Sequence, residues 1–177
     1  MCLNFWQLGS ITSVFFLGMA STLLIVPHIS NKYGRKWPFI WSLVITMCTM
    51  ILILIGSSYP FLLAMMAISG MAASGRLVVG FVYTSELFVP KWKNWFGTIF
   101  VMSQAVTGIT ITLYFWLFPY AYWPIVVTGI IMTFLCIIVT LLIGEESVLW
   151  LLKNHKLVLA ERALLKMMKI NQIDCND

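Results

Sequence analysis

The sequence predicts an all-α membrane protein, about five transmembrane helices followed by a cytosolic amphipathic helix. Two observations carry this. Of 177 residues, 61% are hydrophobic and 10% charged, with a mean hydropathy of +0.96. Soluble domains hold about 45–50% apolar and about 25% charged residues, so a single soluble core of this length could not hide so much apolar surface. The charges are also segregated. None falls in residues 1–31, 37–75 or 94–144, so short charged segments punctuate apolar runs of the roughly 20 residues that a spanning helix needs.

The first span is expected over about 5–29, ended by Lys32, Gly34, Arg35 and Lys36. The second is expected over 37–55 and stops at Gly56, Ser57, Ser58, Tyr59 and Pro60, a neutral turn built on the usual breakers. The third covers about 61–85 and is interrupted by Arg76; a loop with Pro90, Lys91, Trp92 and Lys93 follows. The fourth is expected over 96–118, a second neutral turn over 119–124, and the fifth span over 125–143. The spans form one bundle over residues 1–144, and residues 145–177 form a tail with a helical pattern from His155 to Ile170. There Arg162, Lys166 and Lys169 make a basic stripe, with Leu157, Ala160, Leu164, Met167 and Met168 largely elsewhere. This suits a helix packed on the bundle's inner end, an interfacial helix on anionic lipid, or both.

Orientation follows from the cations. Loop 30–37 carries three, loop 86–95 two and the tail five, while the turns at 56–60 and 119–124 carry none. The positive-inside rule puts all of these cations in the cytoplasm, with the N-terminus outside and the tail inside. Tyr59, Tyr120, Tyr122 and Trp123 then anchor at the outer interface, and Trp37, Trp92 and Trp95 at the inner one.

Catalysis finds little support. His28 and His155 are far apart, no carboxylate pair lies in a span, and the four cysteines show no metal or disulfide spacing. Gly70–Leu77 approaches a phosphate loop but has Arg76 and Leu77 at the key positions and lies inside a span. A nucleic-acid surface would need cations on a water-exposed face rather than between spans.

The third span is rich in small residues (Ala64, Ala67, Gly70, Ala73, Ser74, Gly75 and Gly80 among them), which let helices approach closely in lipid. Arg76 sits near its middle, where an Arg costs about 2.5–3.5 kcal/mol on insertion scales unless it meets a polar interior. It either satisfies backbone carbonyls or lines a water-filled path. Gln7 and Gln104 are the strongest uncharged polar groups in the spans, suited to helix–helix hydrogen bonds or to solute contact.

Asn31-Lys32-Tyr33-Gly34-Arg35-Lys36 resembles the cytoplasmic loop motif of the major facilitator superfamily, Gly-x-x-x-Asp-x-x-Gly-Arg-Arg/Lys. It matches at Gly34, Arg35 and Lys36 and departs at Pro27 and Asn31. Tyr83–Trp92 resembles the end of that family's fourth helix, although Met66 replaces the Arg of the fourth-helix Arg-x-x-x-Gly motif and only Gly70 remains. Glu145–Leu152 is similar to the Pro-Glu-Ser-Pro-Arg-Trp-Leu motif after the sixth helix, matching at Glu146, Ser147, Trp150 and Leu151. Sugar porters and organic cation transporters carry related segments.

The resemblance implies family helices two to six, without the first helix and the second half. It implies a cytoplasmic gate at Asn31, Gly34, Arg35, Lys36, Glu86 and Glu146, with charge-assisted bonds holding the inner helix ends together. It also implies a cavity wall, for which Arg76, Gln104, Tyr114 and Gln7 are the candidates. The expected function is part of a secondary transporter that moves a small organic solute, a sugar or an organic ion, by alternating access. The expected partners are the lipid bilayer, the solute, and either the missing helices or a partner membrane protein. No cofactor is called for. The alternative is a non-transporting structural subunit or a degenerate transporter copy.

Overall fold

The first helix, α1 (Phe5–Leu23), starts where the Gln7 side chain turns back to accept the Asn4 backbone N–H at 2.9 Å. This satisfies one of the donors that a helix start leaves open. The computed structural model describes residues 4–56, 58–87, 90–118, 121–142 and 144–171. Among the described residues every regular element is helical.

The expected first span is not one rod. α1 ends at Leu23, α2 (Ile25–Tyr33) follows, and the two axes differ by 42°. Pro27 supplies the reason. It has no N–H to give the Leu23 carbonyl, and its ring crowds that same oxygen. α2 ends at Gly34, whose φ of 107° lies in the region that glycine adopts without strain.

α3 (Lys36–Ile55) buries Ile40, Leu43, Thr46 and Thr49 along one face. Its buried hydroxyls bond back to their own helix, Thr46 to the Ser42 carbonyl at 2.8 Å and Thr49 to that of Thr46 at 2.9 Å. No polar group is therefore stranded on that face, as a lipid environment requires.

α4 (Tyr59–Ser74), a π turn over Gly75–Val79 and α5 (Gly80–Leu87) form the third span. Its small residues act as the composition implied. A Cβ on Gly70 would lie 2.1 Å from the Phe15 carbonyl oxygen, and one on Gly18 2.4 Å from that of Ala67. The α1 and α4 backbones thus touch at two glycines, and dispersion between them replaces the hydrophobic drive that lipid removes. Above and below, Ser10 and Tyr59 share a 2.5 Å hydrogen bond, as do Thr22 and Ser74 at 2.8 Å.

The π turn also has a packing reason. Gly75 presses on Ser42 and Gly80 on the Phe39 ring, both on α3. In a regular helix, positions five apart point roughly 140° apart. The wider turn brings both glycines to the same neighbour.

α6 (Pro90–Leu117) begins earlier than the sequence reading placed it. The segment from Pro90 to Asn94, expected as a loop, is helical, since a proline at the helix start forfeits only a donor that would be unpaired anyway. α6 meets the rest through Phe96 and Phe100, whose rings lie 5.8 and 5.2 Å from that of Phe81. Its apolar length is otherwise exposed. α7 (Trp123–Leu142) packs on α3 and buries Ile137 and Thr140. Cys48 and Cys136 are free and exposed on their helices rather than packed in a core.

The tail differs from the single expected helix. It holds α8 (Val148–Lys153), a turn with His155 at φ 57°, and α9 (Leu157–Asn171). Ala160 and Ala163 of α9 pack on Trp150 and Leu151 of α8. Of the anticipated anchors, Tyr120 lies outside the described residues. So do the side chains of Met167, Met168 and Lys169.

Candidate functional site

The sharpest convergence of polar groups lies where α2, α3, α5 and α8 meet at one end of the bundle. Arg35, between α2 and α3, places its Nε 2.9 Å from Glu86 Oε2 near the end of α5. The side chains are 19% and 10% exposed, so the charges attract in a medium far less polar than water. The Nε–H is not aligned with the carboxylate, which makes this a charge contact rather than a directed hydrogen bond. The same Glu86 oxygen accepts the Ser147 hydroxyl at 2.5 Å.

Glu146 does not reach the guanidinium. Its Oε1 accepts the backbone N–H groups of Arg35 at 2.7 Å, Lys36 at 3.1 Å and its neighbour Ser147 at 3.2 Å. The first two are donors that the start of α3 would leave open, and a carboxylate there is also favoured by the helix dipole. Gly34 makes the approach possible, because a Cβ in its place would lie 2.6 Å from Glu146 Oε2. Lys36 Nζ donates to the Gly144 carbonyl at 2.6 Å, and Trp150 Nε1 donates to the Asn31 carbonyl at 2.8 Å. All of Asn31, Gly34, Arg35, Lys36, Glu86 and Glu146 thus meet in one cluster.

The cluster contains groups to which the sequence reading gave no role. Ser147 caps α8 by accepting the Trp150 N–H at 3.3 Å and carries Glu86 on the same hydroxyl. A serine just before an apolar run is a helix-start signal that could have been read. Tyr83 donates its hydroxyl to the Glu145 carbonyl at 2.5 Å, and Lys166 of α9 pairs with the Glu145 carboxylate. Neither contact has a local sequence signal.

The candidate wall residues do not converge. Gln7 caps the start of α1. Arg76 is half-buried in the π turn, with no hydrogen bond or ion pair among the described residues. Gln104 is exposed on α6. Tyr114 lies near the far end of α6, edge-on to Phe115 and tilted against Phe118, with centroids 5.8 and 5.4 Å apart. Among the described residues no group of three or more His, Cys, Asp or Glu could hold a metal.

The Major Facilitator Superfamily profile matches residues 3–172. The chain belongs to this superfamily. It is similar to the solute carrier family 22 member 2 of Rattus norvegicus, 18% identical over 96% of this chain and 30% of that protein. The solute carrier family 22 member 4 of Mus musculus is 22% identical over 97% and 31%. An organic cation transporter-like protein of Drosophila melanogaster is 27% identical over 93% and 29%. The chain therefore spans about 30% of the length of these relatives. As a superfamily member it is a multi-pass membrane protein, with four helices of spanning length and composition and a fifth span if the bent α1–α2 pair crosses as one.

Proposed function

We propose that this chain supplies part of a secondary transporter for a small organic solute, in which the Arg35–Glu86–Glu146 cluster is a cytoplasmic latch that closes the inner helix ends. The observation that carries the reading is the convergence of all six gate residues from α2, α3, α5 and the segment before α8. Charge contacts of this kind tie four separate helix ends at one depth. Each can be broken and remade as the ends separate, which alternating access demands. The likeness to an organic cation transporter-like protein supports an organic ion as the solute.

The orientation in this reading rests on charge. Lys32, Lys93 and Lys153 follow the positive-inside rule only if this end faces the cytoplasm. Arg76, Gln104, Tyr114 and Gln7 are proposed as wall groups that further helices would complete. The runner-up, a non-transporting structural subunit, is favoured by one observation: these four groups are scattered.

Uptake by the full-length gene product in proteoliposomes, against a panel of organic cations, organic anions and sugars, tests the reading. Saturable uptake of one class is expected. A correctly inserted protein that moves no member of the panel would leave the structural reading in place. Labelling single cysteines at positions 32, 93 and 153 from each side tests the orientation, with all three expected to react from the cytoplasmic face.

A further inference from the structure

A groove of about 530 Å³ opens between α2, α3 and α4. The bend at Leu24 creates it by swinging α2 off the line of α1. Ile29, Tyr33, Trp37, Trp41, Ile45 and Ile68 are among its apolar lining. Thr22 and Ser42 also line it, but their hydroxyls are committed to helix carbonyls, Thr22 to Gly18 at 3.1 Å and Ser42 to Phe39 at 2.7 Å. Among the described residues no charged side chain lines the groove. It offers a polar solute almost nothing, and it suits hydrocarbon.

Its depth and its mouth narrow the occupant. Along α3 the lining runs from Trp37 to Ile45 and then stops. Eight residues of helix rise roughly 12 Å, close to half of the ~30 Å hydrocarbon core. A spanning helix would need a wall about twice as long. At the mouth stand Tyr33 and Trp37, 64% and 56% exposed, the residue types that sit at headgroup level. Lys32 is beside them, its ammonium 5.4 Å from the Tyr33 ring centroid. Arg35 and Lys36 are engaged by Glu86 and Gly144. Lys32 is exposed and, among the described residues, has no carboxylate partner.

We propose that this groove holds one acyl chain of an anionic phospholipid from the leaflet on the Lys32 side, with the headgroup charge against the Lys32 ammonium. Burial of the chain on the indoles and isoleucines supplies affinity, and Lys32 selects the headgroup. The lipid would brace α2 against α3 directly beside the Gly34–Glu146 contact.

The test uses membranes bearing the full-length gene product and two probes with a photoreactive acyl chain, phosphatidylserine and phosphatidylcholine. After irradiation, adducts are mapped by peptide mass spectrometry. Adducts are expected on the peptides holding Trp37 to Ile45, with the serine lipid favoured about fivefold, the worth of one interfacial cation. Lys32→Gln, an exposed change that leaves packing untouched, should bring the two probes level. Ile68→Trp, which fills the groove, should remove the adducts of both. Labelling no denser there than on exposed α6, equal labelling by both probes in the unmodified protein, or protection of the groove by a cross-linked protein segment would each overturn the proposal.

Discussion

The carboxylate of Glu146 holds Arg35 by its backbone and not by its charge: Oε1 accepts the Arg35 N–H at 2.7 Å while the guanidinium goes to Glu86. The sequence motif suggests three side chains in one ionic cluster. The structure divides the labour. Glu146 stabilises the start of α3, and Glu86 compensates the Arg35 charge. The two carboxylates should therefore fail differently when changed.

Removing the Glu146 acceptor strands the N–H groups of Arg35 and Lys36. Glu146→Ala should lower stability by about 2 kcal/mol, in the range for hydrogen bonds to a charged group. Glu146→Gln keeps an acceptor oxygen and should lose less than half as much. Thermal unfolding of the purified protein in detergent checks the order. Equal losses would mean that the charge, not the acceptor, is what matters.

Gly34 is constrained twice, by its φ of 107° and by the 2.6 Å that a Cβ would leave to Glu146 Oε2. Gly34→Ala should cost about 1–3 kcal/mol from the backbone alone. It should also loosen the Glu146 contact, so combining it with Glu146→Ala should cost less than the sum of the two. An additive double variant would separate the two constraints and contradict the contact.

Much of this was legible in the sequence, and the misses share a cause. Composition and cation spacing anticipate the long apolar helices because lipid imposes length and apolarity on each helix separately. The grouping of Gly34, Arg35, Glu86 and Glu146 was legible through the motif resemblance, with the three charges falling at the charged ends of their spans. What failed was continuity inside a rod. Pro27 was visible but was read as part of one span, and the π turn at Gly75 depends on a neighbour, α3, that periodicity cannot see. The cap by Ser147 was readable, but its bond to Glu86, 61 positions away, was not, because no local pattern records it.

The α1–α4 crossing is testable without a functional assay. In a background lacking all four native cysteines, Cys2, Cys48, Cys136 and Cys175, the pair Thr22→Cys and Ser74→Cys should cross-link on mild oxidation, since the native hydroxyls are 2.8 Å apart. Adding Gly70→Leu puts a branched side chain where even a Cβ falls 2.1 Å from the Phe15 oxygen. Cross-linking should then drop to the level of a mismatched pair. Retained cross-linking would show that the helices associate without the glycine contact.

Glu86 sits between a cation and a hydroxyl, so Glu86→Gln leaves Arg35 half-buried without a counter-charge. Loss of one partner of such a pair is more damaging than loss of both. Under the latch reading, cysteines at the inner ends of α2 and α5 should react with a membrane-impermeant thiol reagent several times faster in Glu86→Gln than in the unmodified protein. Arg35→Gln combined with Glu86→Gln should recover part of the stability while leaving the ends accessible. Unchanged reactivity in the single variant would argue against a latch, whatever its stability.

Arg76 is the remaining charge inside a span, half-buried and without a hydrogen bond or ion pair among the described residues. A structural arginine would be expected to hold carbonyls or a carboxylate; this one holds neither. Replacing it with leucine removes an insertion penalty of about 2.5–3.5 kcal/mol and breaks no hydrogen bond or ion pair among the described residues. Arg76→Leu should therefore insert and accumulate at least as well as the unmodified protein, measured by membrane yield and by monodispersity in detergent. If the proposed path is right, solute uptake should fall at least tenfold at the same protein level, because the charge that held water and solute in the wall is gone. A variant that fails to insert would instead assign Arg76 a structural partner, and full uptake would remove it from the path.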